Sequence, residues 1–269
     1  MRINGLGRMV FLLLLAAGIA VAQSRHGPAR QTTTDPNAYA EFAFTRLIFE
    51  SGIQYLPGPG NTAWRDWPES DMHLIGGIRR LTGIDVEDRS RAHWAFEEQI
   101  FDQPWIYAVE VGSWQLATEE ADNLREYLLR GGFLVVDDFH GTVQWRGFMQ
   151  SMRKIFPERP IVEVSENDVI MNLHFDLDHS KPIPGIMALR NGVTYEHDGF
   201  TPTWRGIYDD EGRLMVIINH NIDLGDAWEM ADIPWYPEEY TAAAYRYGVN
   251  YILYAMTHLG ACNLLSASM

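Results

Sequence analysis

Residues 133–141 read Phe133-Leu134-Val135-Val136-Asp137-Asp138-Phe139-His140-Gly141 (FLVVDDFHG), and this stretch decides the fold. Its opening run is short and almost wholly apolar, as a central parallel strand covered on both faces should be. Upstream lies a helical segment that opens at Thr118-Glu119-Glu120 and closes at Gly131-Gly132. Thr118 suits the cap, the two Glu complement the helix dipole, and Leu124, Tyr127 and Leu128 form one buried stripe. Before it, Trp105 to Val111 (WIYAVEV) reads as another buried strand. Downstream, Trp145, Phe148, Met149, Met152, Ile155 and Phe156 recur at helical spacing as far as Pro157. Strand, helix, strand and helix therefore follow in order, which points to an α/β domain with a mainly parallel sheet.

The flanks extend the pattern. Phe44 to Phe49 suggests a strand, followed by a loop through Pro57-Gly58-Pro59-Gly60. Past Pro68, Leu74, Ile75, Ile78 and Leu81 share a helical face that stops at Gly83. In the second half Pro160 to Val164 and Val169 to Phe175 are strand-like. Trp204 to Tyr208 pairs across Asp209-Asp210-Glu211-Gly212 with Arg213 to Asn219 as a hairpin, and Glu238 to His258 reads as one long buried helix.

Composition bounds the partners. The 269 residues carry a net charge of −15, with 46% hydrophobic and 21% charged residues, so the bulk of the chain should fold while a phosphate backbone is repelled. Nucleic acid is excluded as an expected partner. Residues 1–22 combine Arg2 and Arg8, the apolar run Met9 to Val21 and the site Ala20-Val21-Ala22. That is the pattern of a cleaved signal peptide, and its apolar run is shorter than a bilayer span. The expectation is an exported protein, periplasmic or extracellular, with no membrane span after cleavage. Residues 23–38 read as a disordered leader, residues 39–262 as one α/β domain and residues 263–269 as a tail. Cys262 is the sole cysteine, so no intrachain disulfide is expected.

In an open α/β sheet ligands gather beyond the carboxyl ends of the strands, which places Asp137, Asp138 and His140 at the expected crevice. Two carboxylates and an imidazole there suit a divalent metal, an acid/base pair or a cap for the next helix. Asp66 and Asp71 lie at the entrance to the first helix, as caps or ligands. His220, Asn221, Asp223, Asp226 and Glu229 cluster around Gly225, as metal ligands or as Asx-turns. His174, Asp176 and Asp178, with His179 next, alternate as they would on one strand face, suiting a metal or simply a solvated strand end. Ser151 to Lys154 matches S-x-x-K by chance, because Met152 belongs to an apolar stripe and no K-T-G triplet exists. There is no H-E-x-x-H, P-loop or G-x-S-x-G motif.

Taken together, the 105–138 run, Asp66-Trp67-Pro68-Glu69-Ser70-Asp71, Asp223-Leu224-Gly225-Asp226-Ala227-Trp228-Glu229 and Gly248-Val249-Asn250 resemble the DUF4159 family, a domain of unknown function, over roughly residues 42–260. The resemblance implies a flavodoxin-like three-layer α/β sandwich of the class I glutamine amidotransferase-like kind. Amidotransferases there carry a nucleophilic Cys at a strand-to-helix elbow. The comparable turn here is Asp138-Phe139-His140-Gly141, with Phe139 where the thiol would stand, and Cys262 follows the last helix with no strand before it. Thiol glutaminase chemistry is therefore not expected. Family members joined to cell-envelope systems imply a binding or assembly role as readily as an enzyme, and with the Asp/His cluster two readings follow. One is a binding domain for a small molecule or envelope protein, without cofactor. The other is a metal-assisted hydrolase using the same edge, with Asp137, Asp138 and His140 as first candidates for the ion.

Overall fold

The computed structural model describes residues 40–52 and 62–258. The signal peptide expected at 1–22, the leader expected at 23–38, the loop at Pro57 to Gly60, Cys262 and the tail at 263–269 all lie outside the described residues.

Seven strands form one sheet: β1 (Thr45–Ile48), β2 (Arg91–Trp94), β3 (Trp105–Val109), β4 (Phe133–Phe139), β5 (Val162–Glu163), β6 (Thr203–Tyr208) and β7 (Leu214–His220). Their spatial order is β2-β1-β3-β4-β7-β6-β5. The run from β2 to β7 is parallel throughout, and β6 with β5 adds an antiparallel edge. Counted along the parallel strands alone the order is 2-1-3-4-5, the flavodoxin-like order, whose connections reverse direction between β1 and β3.

Alternation along the strands builds two apolar layers. Trp105, Tyr107, Val109, Phe133 and Val135 pack on one face with α1 (Glu69–Leu81) and the long C-terminal helix, which runs Glu238–Thr257. Ile106, Ala108, Leu134 and Val136 pack on the other with α2 (Thr118–Leu129) and α3 (Gly141–Ile155). The central strands are thus buried on both sides, which is why FLVV lacks polar alternation. The result is the expected three-layer α/β sandwich.

Several local expectations change. β4 does not stop at Val136 but runs on through Asp137 and Asp138 to Phe139, with a register shift between Val136 and Phe139 against β7. Asp138 takes a left-handed backbone (φ 50°) inside that irregularity. A bulge re-aims side chains, and here Phe139 packs with Leu134 and Val136. Ala117, not Thr118, caps α2, and its free N–H donates back to Glu120 Oε2 at 2.7 Å. The 169–175 segment is not a strand. Asp168 Oδ1 accepts the Ile170 N–H at 3.1 Å and starts the short helix α4 (Val169–Asn172), so His174, Asp176 and Asp178 share no strand face. Two more short helices follow, α5 (Ile186–Arg190) and α6 (Leu224–Glu229), before the C-terminal helix, α7. Among the described residues no helix is long and apolar enough to cross a membrane.

Candidate functional site

The carboxyl edge of the sheet is where the backbone is strained. Five non-glycine residues have positive φ among the described residues: Asp66 (61°), Glu110 (58°), Asp138 (50°), His197 (51°) and Asn221 (65°). Such conformations cost of order 1–3 kcal/mol each and concentrate at functional sites. Glu110 directly follows β3, Asp138 lies near the end of β4 and Asn221 directly follows β7. Glu110, Asp138 and His197 line one cavity of about 490 Å³, together with Arg65, His140 and Glu196.

Asp66 is placed from below by a buried cation. The Arg46 guanidinium on β1 donates to both Asp71 oxygens, at 2.6–3.1 Å, and to Ser70 Oγ at 2.9 Å. Its Nη1 donates to the carbonyls of Ala63 (2.7 Å) and Arg65 (2.9 Å). Every donor is used, and the chain on the amino side of Asp66 is pinned to the sheet. Asp71 is therefore the counter-ion of Arg46 and neither caps α1 nor faces the cavity. Arg65 in turn pairs with Glu110 at 2.9 Å across the gap between the β1 and β3 connections.

Neighbouring residues on β4 divide the work. Asp137 is a fold element: its Oδ2 accepts from Tyr107 Oη (2.8 Å) and from the Leu224 and Gly225 N–H groups (2.9 and 3.1 Å). Its Oδ1 accepts from Asn219 Nδ2 at 3.2 Å, and Asn219 is fixed by Tyr251 Oη at 2.9 Å. Complete burial pushes its carboxyl up to about 6, with these bonds limiting the rise. With four donors satisfied, Asp137 anchors the start of α6.

Asp138, His140 and Asp223 form a group in which each offers one ligand atom, all within 4.8 Å of one another. With its proton on Nε2, His140 donates to Asp138 Oδ1 at 3.1 Å, while its buried Nδ1 has no partner. Burial lowers the His140 pKa, so the ring is neutral and Nδ1 keeps its lone pair. A carboxylate on one ring nitrogen and a free lone pair on the other is the arrangement of a metal-ligating histidine. Burial, reinforced by Glu110 and Asp226, drives the Asp138 carboxyl well above its usual range. The same burial, with Asp138 and Asp226 beside it, does so at Asp223.

Asp66, Asp226 and Glu229 form a second group with the same mutual spacing. Burial and Asp226 push Glu229 up to about 7, and burial with Asp226 and Asp138 raises Asp66 strongly. The groups meet at Gly185. A side chain started there would lie 2.6 Å from Asp223 Oδ2 and 3.0 Å from both Asp226 Oδ2 and Glu196 Oε1. The backbone of Gly185 is ordinary (φ −65°), so it is the crowding of carboxylates that leaves room for nothing larger.

The start of α3 is already closed to anions. The Gly141 N–H donates to Asn221 Oδ1 (2.8 Å), the Thr142 N–H to Asp198 Oδ1 (2.8 Å) and the His140 N–H to Gln144 Oε1 (2.5 Å). His220, read in sequence with the Gly225 group, instead packs on Phe139 and Trp145 and pairs with the Gly141 carbonyl at 3.2 Å. Burial lowers its pKa to about 4. Asp178 accepts from the Ser180 N–H and Oγ in a local turn, away from this edge.

Sequence reasoning missed Glu110, Glu196 and Gly185. Glu110 had a signal, as the lone acid ending an apolar strand at the edge where ligands gather. Glu196 had none, because the turn carrying it reaches the cavity only through tertiary packing.

A three-layer α/β protein whose parallel sheet carries a strained, acidic carboxyl edge with an unpartnered imidazole is the class that fold and site define. The chain belongs to the family described as Domain of unknown function (DUF4159), whose model matches residues 52–256. Comparison with curated proteins returns no match.

Proposed function

We propose that the carboxyl edge binds a divalent metal ion through Asp138, His140 and Asp223, and that the protein is a metal-assisted hydrolase acting in the cavity beside it. The observation that carries this reading is the convergence of three ligand atoms, one of them on a buried neutral histidine whose Nδ1 meets no other partner. Carboxylates with imidazole suit Zn²⁺ or Mn²⁺. Three protein ligands leave coordination positions open, the hallmark of catalytic over structural sites, and the adjoining cavity has room for a substrate. A bound ion would supply Lewis acidity and an activated water. Glu110 and Glu196, both lining the cavity, are placed to take a proton, and Arg65 positions Glu110 by its ion pair.

The fold is compatible with the amidotransferase-like elbow, but its strained residue is Asp138, one position before Phe139. An aspartate there suits a metal better than acyl transfer through a thiol. Export belongs to the same proposal and rests on the pattern of residues 1–22. Mass spectrometry of the secreted chain should find Gln23 first.

The test uses chelator-treated protein with p-nitrophenyl acetate and p-nitrophenyl phosphate, alone and with Zn²⁺ or Mn²⁺. Turnover should require the ion and fall at least about a hundredfold in Asp138→Asn and His140→Ala. A rise in thermal midpoint with the ion but no turnover on any ester would leave a binding domain and sink the hydrolase. No effect of either ion on midpoint or turnover would remove the metal as well.

A further inference from the structure

We infer that Asp66, Asp226 and Glu229 hold a second divalent cation beside the first, so that this edge is a two-ion centre. Each offers one oxygen, and the three lie within 4.8 Å of one another. The independent observation is Asp66 Oδ2, which is buried without any partner on a residue only 9% exposed. A carboxylate oxygen stranded in that way costs stability unless something positive meets it, and the nearest buried cation, Arg46, has every donor engaged elsewhere.

The chain keeps that oxygen free at some expense. Asp66 holds a left-handed backbone, and Gly225 withdraws to make space, since a side chain begun there would lie 2.4 Å from Asp66 Oδ2. Asp226 and Glu229 stand three residues apart on α6 and so share one face.

The two positions are joined through α6. The Asp226 N–H donates to Asp223 Oδ1 at 2.7 Å, and the two Oδ2 atoms approach the same point beside Gly185. Their donor sets differ. Imidazole in the first favours a borderline ion, whereas the second is all oxygen and favours a hard one such as Mg²⁺, Ca²⁺ or Mn²⁺. Two ions would also offset the crowd of carboxylates and admit an anionic substrate, with the attacking and leaving oxygens of an in-line displacement at phosphorus both clamped, so the substrate class is a phosphate ester.

This rests on the reading above for its neighbouring ion, but its own ligands are separate, and titration calorimetry of the chelator-treated full chain with Mn²⁺ distinguishes the two. The parent should bind two ions, Asp66→Asn and Glu229→Gln one each, and Asp138→Asn should keep the all-oxygen ion. Glu229 is only half-buried, so Glu229→Gln tests the site even if Asp66→Asn fails to fold. One ion in the parent, unchanged by Asp66→Asn or Glu229→Gln and lost in Asp138→Asn, overturns the second position and leaves the first. Two ions that survive both substitutions place the second elsewhere and overturn it too. No binding at all overturns both readings.

Discussion

Five acids at this edge, Asp66, Asp137, Asp138, Asp223 and Glu229, hold their protons more tightly in the folded chain than in the unfolded one, where carboxyls titrate near pH 4. Burial is the first cause at Asp66, Asp137, Asp138, Asp223 and Glu229, and neighbouring carboxylates add to it at all but Asp137. The native state therefore binds more protons than the unfolded state above pH 4, and stability falls as pH rises. The fall begins near 4, where the unfolded carboxyls titrate, and continues through about 6, where Asp137 does in the folded chain, to about 7 for Glu229. This is the reverse of an ion-paired aspartate, whose folded-state pKa is depressed. Chelator-treated protein should melt at a higher temperature at pH 5 than at pH 7.5, and saturating Mn²⁺ should flatten or invert that difference by replacing protons at the same oxygens. A midpoint that climbs from pH 5 to 7.5 without metal would mean these carboxylates are paired in some other way.

At the scale of elements, the site hangs on how α6 is attached to β4. Asp137 accepts two N–H groups at the first turn of α6, so the strand end fixes the helix that carries Asp226 and Glu229. An amide in its place would present N–H to donors in a buried setting, and each unsatisfied group costs about 1–3 kcal/mol. Asp137→Asn should thus lower the thermal midpoint clearly, whereas Asp138→Asn, one residue on, should leave the metal-free midpoint unchanged or raise it, because it removes one of several mutually repelling carboxylates. Thermal melts of the two variants beside the parent check this, and equal losses would make Asp138 a fold residue as well. The sequence distinguished neither role. Both residues follow FLVV, and only the bulge, which turns on register against β7, separates their environments. The strand expected over 169–175 failed for a related reason: a short apolar run does not declare its period, and Asp168, capping Ile170, decided for helix.

For the whole molecule, the order of short apolar runs alternating with amphipathic helices was enough to foresee a parallel α/β sandwich, because strands covered on both faces carry such runs and helices return the chain between them. The place proposed for the site rests on the same logic, at the carboxyl ends of the parallel strands. What the sequence did not reveal is convergence. Asp66, Glu110 and Asp223 come from three connections and Asp138 from the end of β4, and they meet because the β1 and β3 connections diverge and β7 lies beside β4. Nor did it reveal that Asp71 is spent on Arg46, since a buried counter-ion and a ligand read alike in a string of letters. Anomalous scattering from crystals soaked in Mn²⁺ would locate a divalent ion at this meeting point. A peak is expected at about 2.0–2.6 Å from ligand atoms of Asp138, His140 and Asp223. Well-ordered crystals with no anomalous density at the carboxyl edge would contradict it.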